Sequence, residues 1–431
     1  MPQAHPIRAL RYAAPGGDVS RFIAPPYDVL DESSKQALLA AEKHNIVAID
    51  LPVTPPKTLG PDAAYDKAGA TLRQWVSEQV LKRDAAPALF AYEQAYRSGG
   101  QTVRRRGLFT GLKVEEFGRK GGGIHRHEHT IRGGTDDRLK LMQATHAQLS
   151  PVFGVFPDPR KQLSEILSET YAHPADFHGI TSNDRVEHRC WAVTNPALIN
   201  ALQHLLKNSD VFISDGHHRY TTALNYAKEH PTNEAAQYFL FVLIPSEDPG
   251  LVILPTHRVV KGMTGFSMTR LVEILKADGR FKLESTHHAA DGLPHMVDDL
   301  KTKGHHAIGL YSPESGRTWA VSTVSDDPLA EIFPEKARAW RQLDVAVFHN
   351  LFIDRVLKPN FGGDAITTTY PHELTELVRQ CHEDKSRLGC ILQATPLQSV
   401  IDVSLAGEVM PPKSTFFYPK LATGLVISPL D

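Results

Sequence analysis

The stretch VFISDGHHRYTTALNYAKEH, from Val211 to His230, decides how we expect this chain to fold. Its first four residues, 211–214, are mostly apolar and indicate a short buried strand. Asp215 and Gly216 interrupt that pattern, because glycine tolerates backbone angles that other residues avoid. Apolar residues then recur at helical spacing from Tyr220 to Ala227. The stretch therefore predicts a strand, a tight turn and a helix.

Ionisable residues crowd the entrance of this predicted helix, where His217, His218 and Arg219 follow the turn. A helix N-terminus offers free N–H groups and a positive dipole end to an anion. Arg219 could add a bidentate contact to a phosphate or carboxylate. Asp215 could cap the helix, hold a metal or take a proton, and a plain N-cap beside a solvated turn is the alternative. We favour a functional site, because ionisable groups gathered at a glycine turn are typical of one.

Composition narrows the class of protein. The 431 residues are enough for more than one lobe, and we place two lobes at 1–205 and 206–431 of one composite unit. A net charge of −2 gives no electrostatic basis for binding nucleic acid or an anionic membrane. Three cysteines are too few for a disulfide framework and indicate a reducing, cytoplasmic location. Neither a signal peptide nor a membrane span is predicted, and a homodimer is left open.

A second polar stretch reads GRKGGGIHRHEHTIRGGTDDRLK over residues 118–140. Gly121 to Gly123 should make its beginning flexible. The HRHEH pattern is not HExxH on a helix and has no partner cluster at zinc spacing, so a structural zinc is disfavoured. A loop that binds phosphate, magnesium or a polar substrate is favoured instead. Its best acids for proton transfer or metal binding are Glu128 and Asp137.

Prolines mark two further candidate segments. The run FIAPPY contains a proline pair that fixes an extended backbone, and Tyr27 and Asp28 follow directly at its end. In LVILPTHRVV, Pro255 breaks a strand pattern, which indicates an edge or bulge that redirects the side chains of Thr256, His257 and Arg258. A His-Arg pair on the surface is the alternative.

The C-terminal segment GEVMPPKSTFFYPK contains Lys413, Ser414 and Thr415. These residues look like the end of a phosphate loop, but the upstream glycines of a Walker A motif are absent. The aromatic residues 416–418 should dock the tail on the core, which would deliver Lys413 into a site.

Hydrophobic periodicity elsewhere predicts a mixed α/β chain. Strands are expected at 45–52, 88–96, 106–117, 150–156, 188–193 and 238–245, and helices at 63–80, 137–145, 164–172, 196–206, 266–278, 344–357 and 370–382.

These motifs together resemble, over nearly the whole chain, the prokaryotic family called domain of unknown function 1015. The residues that carry the resemblance are APPYDV (24–29), HEHT (127–130), DDRL (136–139), DGHHRY (215–220), LPTHR (254–258) and GEVMPPKSTFFYPK (407–420). The family's name states no activity, so the resemblance implies an organisation rather than a function.

DGHHRY, after a strand and opening a helix, also resembles the signature of the ParB/sulfiredoxin-like fold, whose members include kinases of free L-serine. That resemblance implies a nucleotide-binding element in which Gly216, His217, His218 and Arg219 hold phosphate, with Asp28 as a substrate-side acid. Asp28 and Asp215 lie much farther apart in this sequence than the corresponding motifs do in compact members of the fold. His217 also stands where sulfiredoxin has its catalytic cysteine, which argues against sulfiredoxin chemistry.

Our hypothesis from the sequence is a small-molecule phosphotransferase, a kinase that uses ATP or ADP with Mg²⁺ on a hydroxylated metabolite such as free L-serine. A phosphatase or other hydrolase, and a nucleotide-binding regulator without turnover, are the alternatives. We expect the HEHT, DDR and DGHHR motifs and Lys413 to line one cleft. The candidate residues are Glu128, Asp28, Asp215 and His218 for catalysis; Gly216, His217, Arg219, Arg138, His257, Arg258, Lys413, Ser414 and Thr415 for the nucleotide; and Asp137 and Asp215 for the metal.

Overall fold

The computed structural model describes residues 3–118, 123–286 and 288–431. Of the glycines predicted to be flexible, Gly121 and Gly122 lie outside these ranges.

The strands are numbered in chain order. They are β1 Ala4–His5, β2 Leu10–Tyr12, β3 Leu81–Arg83, β4 Leu89–Ser98, β5 Gln101–Lys113, β6 Ile124–His125, β7 Ala147–Gln148, β8 Val152–Phe156, β9 Phe177–Ile180, β10 Glu187–Val193, β11 Val211–Asp215, β12 Tyr238–Pro245, β13 Val252–Leu254, β14 Arg258–Lys261, β15 Phe281–Thr286, β16 His305–Ser312, β17 Arg317–Thr323, β18 Thr367–Thr369, β19 Leu388–Ile391, β20 Phe416–Tyr418 and β21 Ser428–Pro429.

The helices are numbered in the same way. They are α1 Glu32–Ala41, α2 Val47–Asp50, α3 Asp62–Ser77, α4 Arg132–Thr145, α5 Gln162–Ile166, α6 Ser168–Ala172, α7 Pro196–Leu206, α8 His217–Glu229, α9 Met268–Asp278, α10 Leu293–Leu300, α11 Arg338–Arg341, α12 Asp344–Val347, α13 Lys358–Phe361, α14 Leu374–His382 and α15 Leu397–Leu405. A π-helix spans Phe348–Leu357, and short 3-10 helices include Tyr27–Val29.

Two compact units make up the chain. Unit 1 comprises Met1–Val252 and Pro419–Asp431, and unit 2 comprises Ile253–Tyr418. The predicted division after residue 205 differs from these boundaries. The physical reason is that β11 and β12, which follow that residue, pair with β8 and β5, which precede it, in one sheet.

Unit 1 is built on a mixed sheet with the strand order β6-β11-β8-β12-β5-β4-β10-β9, and β1 pairs with β5. The strand β12 lies parallel to β8 and antiparallel to β5, so that Val242 is opposite Phe153 on one side and Phe109 on the other. All its residues from Phe239 onward are buried. This explains its continuous apolar sequence, since a strand covered on both faces needs no polar alternation.

Unit 2 contains an antiparallel sheet in the order β15-β17-β16-β19-β14-β18. Leu310 and Val321 from this sheet belong to the same core as Leu351 and Phe352 of the π-helix. The 344–357 segment, predicted as one helix, therefore changes type after Val347 while it keeps its buried side.

The mixed α/β class is confirmed, and most predicted elements exist, but the strand at 45–52 is wrong. The segment NIVAID instead forms the buried helix α2. The side chain of Asn45 accepts the N–H of Val47 at 3.0 Å and donates to the carbonyls of Arg21 and Ile23, each at 2.9 Å. These local bonds close a turn that competes with extended structure, and β-branched composition does not reveal them.

Two predicted helices also differ in their bounds. The helix expected over 370–382 begins only at Leu374, and that over 164–172 is divided into α5 and α6. Within the described part of the chain, no helix is both long enough and apolar enough to cross a bilayer.

Candidate functional site

The predicted strand, turn and helix are confirmed as β11, Gly216 and α8. Gly216 has a φ of 95°, in the left-handed region that favours glycine. A Cβ at this position would approach the Arg219 Nε to 3.0 Å. The N-cap position of α8 is Gly216, which has no side chain to cap the first turn.

Asp215 lies at the end of β11, where the register against β8 shifts between Ile213 and Asp215. Bulges of this kind re-aim a side chain. Its Oδ2 accepts a bond of 2.6 Å from Arg219 Nη2, and its Oδ1 one of 2.5 Å from Lys420 Nζ. Burial alone would raise the pKa of Asp215, but Lys420 and Arg219 together hold this pKa well below its ordinary value. The carboxylate thus stays ionised between two cations, and its predicted roles as base and metal ligand stay predictions.

The side chain of Arg219 turns inward, contrary to its predicted phosphate contact. Besides Asp215, its guanidinium donates to the carbonyl of Pro151, and the residue is buried. Arg219 is therefore a positioning residue that holds Asp215 and joins the first turn of α8 to the segment before β8.

The HEHT loop packs on the same first turn. The rings of His127 and His217 meet edge to face with centroids 4.6 Å apart, and the backbone N–H of His127 faces His217 Nε2 at 3.4 Å. On the other side of the ring, His217 Nδ1 lies 3.6 Å from Glu128 Oε2. Burial lowers the pKa of His127 to about 4, and burial and His127 lower the pKa of His217 well below its ordinary value. Both imidazoles are neutral near pH 7.

His218 joins two more segments to this turn. Its Nε2 accepts the N–H of Ile131 at 3.0 Å. Burial and the charge of Lys57 lower the pKa of His218 to about 4, whereas Asp28 acts in the opposite direction. Lys57 Nζ in turn lies 3.1 Å from Asp28 Oδ2. The PPYDV segment, the Lys57 loop and the HEHT loop therefore meet at the entrance of α8.

The DDR motif forms a buried ion-pair network beside these groups. Arg138 bonds to Asp137 Oδ2 at 2.8 Å and to the carbonyl of Asp50 at 2.7 Å, and its guanidinium lies 3.8 Å from the centroid of the Tyr27 ring. The other oxygen of Asp137 accepts from the Tyr65 hydroxyl at 2.8 Å. Both oxygens of Asp137 are thus bonded within the protein and Arg138 is buried, while their predicted metal and nucleotide roles stay predictions.

The remaining candidates, His257, Arg258, Lys413, Ser414 and Thr415, all belong to unit 2. Thr256, His257 and Arg258 are buried, so the alternative of a surface pair is wrong. In unit 1, HEHT, DDR and DGHHR come together as expected, and the cation that reaches Asp215 there is Lys420.

Sequence reasoning missed Lys420, Lys57 and Asp50. Lys420 ends the C-terminal motif, but only tertiary structure brings it to Asp215. Lys57 lies in a proline-rich segment to which no role was assigned, and Asp50 lies in the wrongly predicted strand. Among residues 3–118, 123–286 and 288–431, no three or more His, Cys, Asp or Glu side chains are grouped in a way that could hold a metal ion.

We expect the protein to lose stability as the pH falls from about 6.5 to about 4. In this window an unfolded histidine binds a proton, whereas His127 and His218, with a lowered pKa, stay neutral in the fold. The unfolded state then binds more protons, so acid favours unfolding. Urea unfolding at about pH 7 and about pH 4.5 measures this effect. His127→Gln should lessen the pH dependence, and His173→Gln, at an exposed position, should not. Equal stability at both pH values would contradict the expectation.

Comparisons with known proteins bear out the family resemblance. The family model described as "Protein of unknown function (DUF1015)" matches residues 4–346. No curated protein matches the chain. Among solved structures, a free serine kinase in complex with AMP is 13% identical, with 68% of this chain and 83% of that chain covered and a TM-score of 0.31.

Two other solved structures are similar at the same level. SbnI with a C-terminal truncation, from Staphylococcus aureus, is 11% identical over 75% of this chain and 87% of that chain, with a TM-score of 0.36. A conserved hypothetical protein from Pyrococcus furiosus is 14% identical over 68% and 86%, with a TM-score of 0.29. With TM-scores below 0.5, these likenesses carry no argument about function.

Proposed function

The chain belongs to the DUF1015 family, and on that premise we propose that unit 1 is a small-molecule phosphotransferase, a nucleotide-dependent kinase of a hydroxylated metabolite such as free L-serine. One observation carries the proposal. The first turn of α8, whose N-cap is a glycine, is surrounded by two lysines and two partly exposed acids drawn from segments far apart in the sequence.

The phosphate-binding half of the site is the start of α8. Backbone N–H groups at a helix N-terminus suit a phosphate, and Gly216 lets the chain enter the helix without a side chain over them. Lys420, held at Asp215, and Lys57, held at Asp28, would supply the positive charge that a nucleotide's phosphates require. In this arrangement Arg219 acts through Asp215 and does not touch the phosphate.

The acid half of the site consists of Glu128 and Asp28. The Glu128 side chain is 46% exposed and that of Asp28 is 23% exposed, whereas the carboxylate of Asp215 is held by its two cations. We assign Glu128 as the base, because it is the more exposed of the two acids and lies beside His217 in the first turn of α8. Asp28 is then the carboxylate available to a magnesium ion that arrives with the nucleotide, since Mg²⁺ needs only one or two protein carboxylates there.

The reaction proposed is an in-line transfer. The hydroxyl oxygen of the metabolite forms a bond to the terminal phosphorus of ATP or ADP, and the bond from that phosphorus to the bridging oxygen breaks. The hydroxyl proton passes to the Glu128 carboxylate, and the shortened nucleotide leaves with the bonding electron pair. A hydrolase would carry out the same transfer to water.

The test is a screen of the full chain with a mixture of hydroxylated metabolites, Mg²⁺, and ATP or ADP in separate reactions. We expect one or more metabolites to gain a phosphoryl group, detected by mass spectrometry, at a rate that falls sharply in a matched Glu128→Gln preparation. Inorganic phosphate released without any phosphorylated metabolite would favour the hydrolase. Nucleotide binding without turnover would leave a binding protein and contradict the proposed kinase.

A further inference from the structure

A buried arginine in unit 2 lacks a counter-charge. Arg258, at the start of β14, is 0% exposed. Within the described residues, no carboxylate lies within 4.0 Å of its guanidinium. A buried cation is costly unless an anion offsets its charge. Arg258 thus differs from Arg138 and Arg219 of unit 1, which are both paired with aspartates.

Backbone carbonyls satisfy only part of this guanidinium. Nη1 donates to the carbonyls of Thr256 and His257, and Nη2 donates to that of Lys413 at 2.9 Å. The face of the guanidinium lies 4.8 Å from the centroid of the Tyr370 ring. The Nε–H has no acceptor among the described residues. Carbonyl dipoles do not neutralise a full charge, and burial accordingly lowers the pKa of Arg258 to about 10.

Two further buried polar atoms near Arg258 also lack partners in the described structure, Thr256 Oγ1 and His349 Nε2. Thr256 is the residue whose carbonyl Arg258 binds, and the charge of Arg258 contributes to the lowered pKa of His349, after burial. With a pKa of about 4, His349 is a neutral imidazole that can donate one hydrogen bond near pH 7. The Arg258 Nε–H, the Thr256 hydroxyl and the His349 imidazole are thus three potential donors without an acceptor among the described residues.

We propose that Arg258, Thr256 and His349 form an anion site in unit 2 that takes a phosphate group. Guanidinium groups are suited to phosphate and carboxylate alike. We take phosphate as the ligand because its oxygens can accept from a guanidinium N–H, a hydroxyl and an imidazole N–H at once. The site neither uses a residue of the proposed kinase site nor depends on the kinase activity. The phosphate could be inorganic or part of a nucleotide, and titration with each ligand separates these two sources.

The test is calorimetric titration of the full chain with inorganic phosphate and, separately, with ADP. It is done in a Lys420→Met background, because Lys420 contributes to the proposed phosphate site of unit 1. We expect binding that Thr256→Val weakens about tenfold, the effect of losing one hydrogen bond to a charged group. Arg258→Gln should abolish it. Binding of phosphate alone would identify a free oxyanion as ligand, and binding of ADP alone a nucleotide phosphate.

If Arg258→Gln fails to fold, the proposal can still be tested by thermal unfolding of Thr256→Val without added ligand. Thr256→Val has nearly the same shape and removes a buried hydroxyl that lacks a partner among the described residues, so its Tm should equal or exceed that of the parent. A variant that binds phosphate more weakly but melts no lower places the hydroxyl in the site. The proposal is overturned if neither phosphate nor ADP binds, or if Thr256→Val binds as tightly as the parent.

Discussion

Replacing Glu128 by glutamine is expected to lower kcat for phosphoryl transfer about a hundred- to ten-thousandfold, the usual contribution of a positioned base. The substitution keeps the length and hydrogen-bonding shape of the side chain but removes its ability to take the hydroxyl proton. The nucleotide's KM should change little, because the first turn of α8 and its lysines are untouched. Steady-state kinetics on the metabolite identified by the screen measure both constants.

Two further variants make this result interpretable. Glu116→Gln is the matched control, since Glu116 is an exposed glutamate of unit 1 paired with Lys228 at 2.6 Å, and it should retain full turnover. Asp28→Asn tests the other acid of the site. Near-full turnover of Glu128→Gln together with loss in Asp28→Asn would transfer the role of base to Asp28. If both variants stay active, the proposed proton transfer is wrong.

Replacing Arg138 by methionine should cost about 3–5 kcal/mol of unfolding free energy, since it leaves buried carboxylates without their cation. The side chains of Arg138, Asp137 and Asp50 are only 6%, 2% and 5% exposed. Burial already raises the pKa of Asp50 in spite of Arg138, so loss of the arginine should favour a neutral Asp50. Urea denaturation of the full chain, with the transition of unit 1 followed separately from that of unit 2, provides the measurement.

Arg132→Met is the control for this prediction, because it makes the same substitution in the same helix. The Arg132 side chain is 94% exposed and lies 3.6 Å from Asp136, so its loss should change stability by no more than about 0.5 kcal/mol. Similar stabilities for the two variants would show that the buried network contributes little.

The chain's local patterns were sufficient for its clearest elements. The apolar run of β12 and the glycine break between β11 and α8 depend on residues that are neighbours in sequence, and both appear where they were predicted. The failure at α2 has a specific cause. Asn45 bonds to backbone groups of Arg21 and Ile23, which are more than twenty residues earlier, and no periodicity within NIVAID carries that information.

In the site, too, some features could be predicted from the sequence and others depended on distant contacts. Its acids and histidines could be recognised because polar residues gathered at turns stand out against apolar segments. Their roles could not, because a role depends on which partner each side chain meets. Asp137 and Asp215 both read as metal ligands, yet one is bound by Arg138 and Tyr65 and the other by Arg219 and Lys420.

By itself, the sequence determined the mixed α/β class, the strand–turn–helix at Gly216 and the family to which the chain belongs. These properties follow from short-range patterning and from motifs that can be read in order. Tertiary structure alone decided that Lys420 reaches Asp215 across 205 residues, and that Arg258 is buried without a counter-charge among the described residues. Charge pairing is settled by distance in space and by desolvation, and both exist only once the chain has folded.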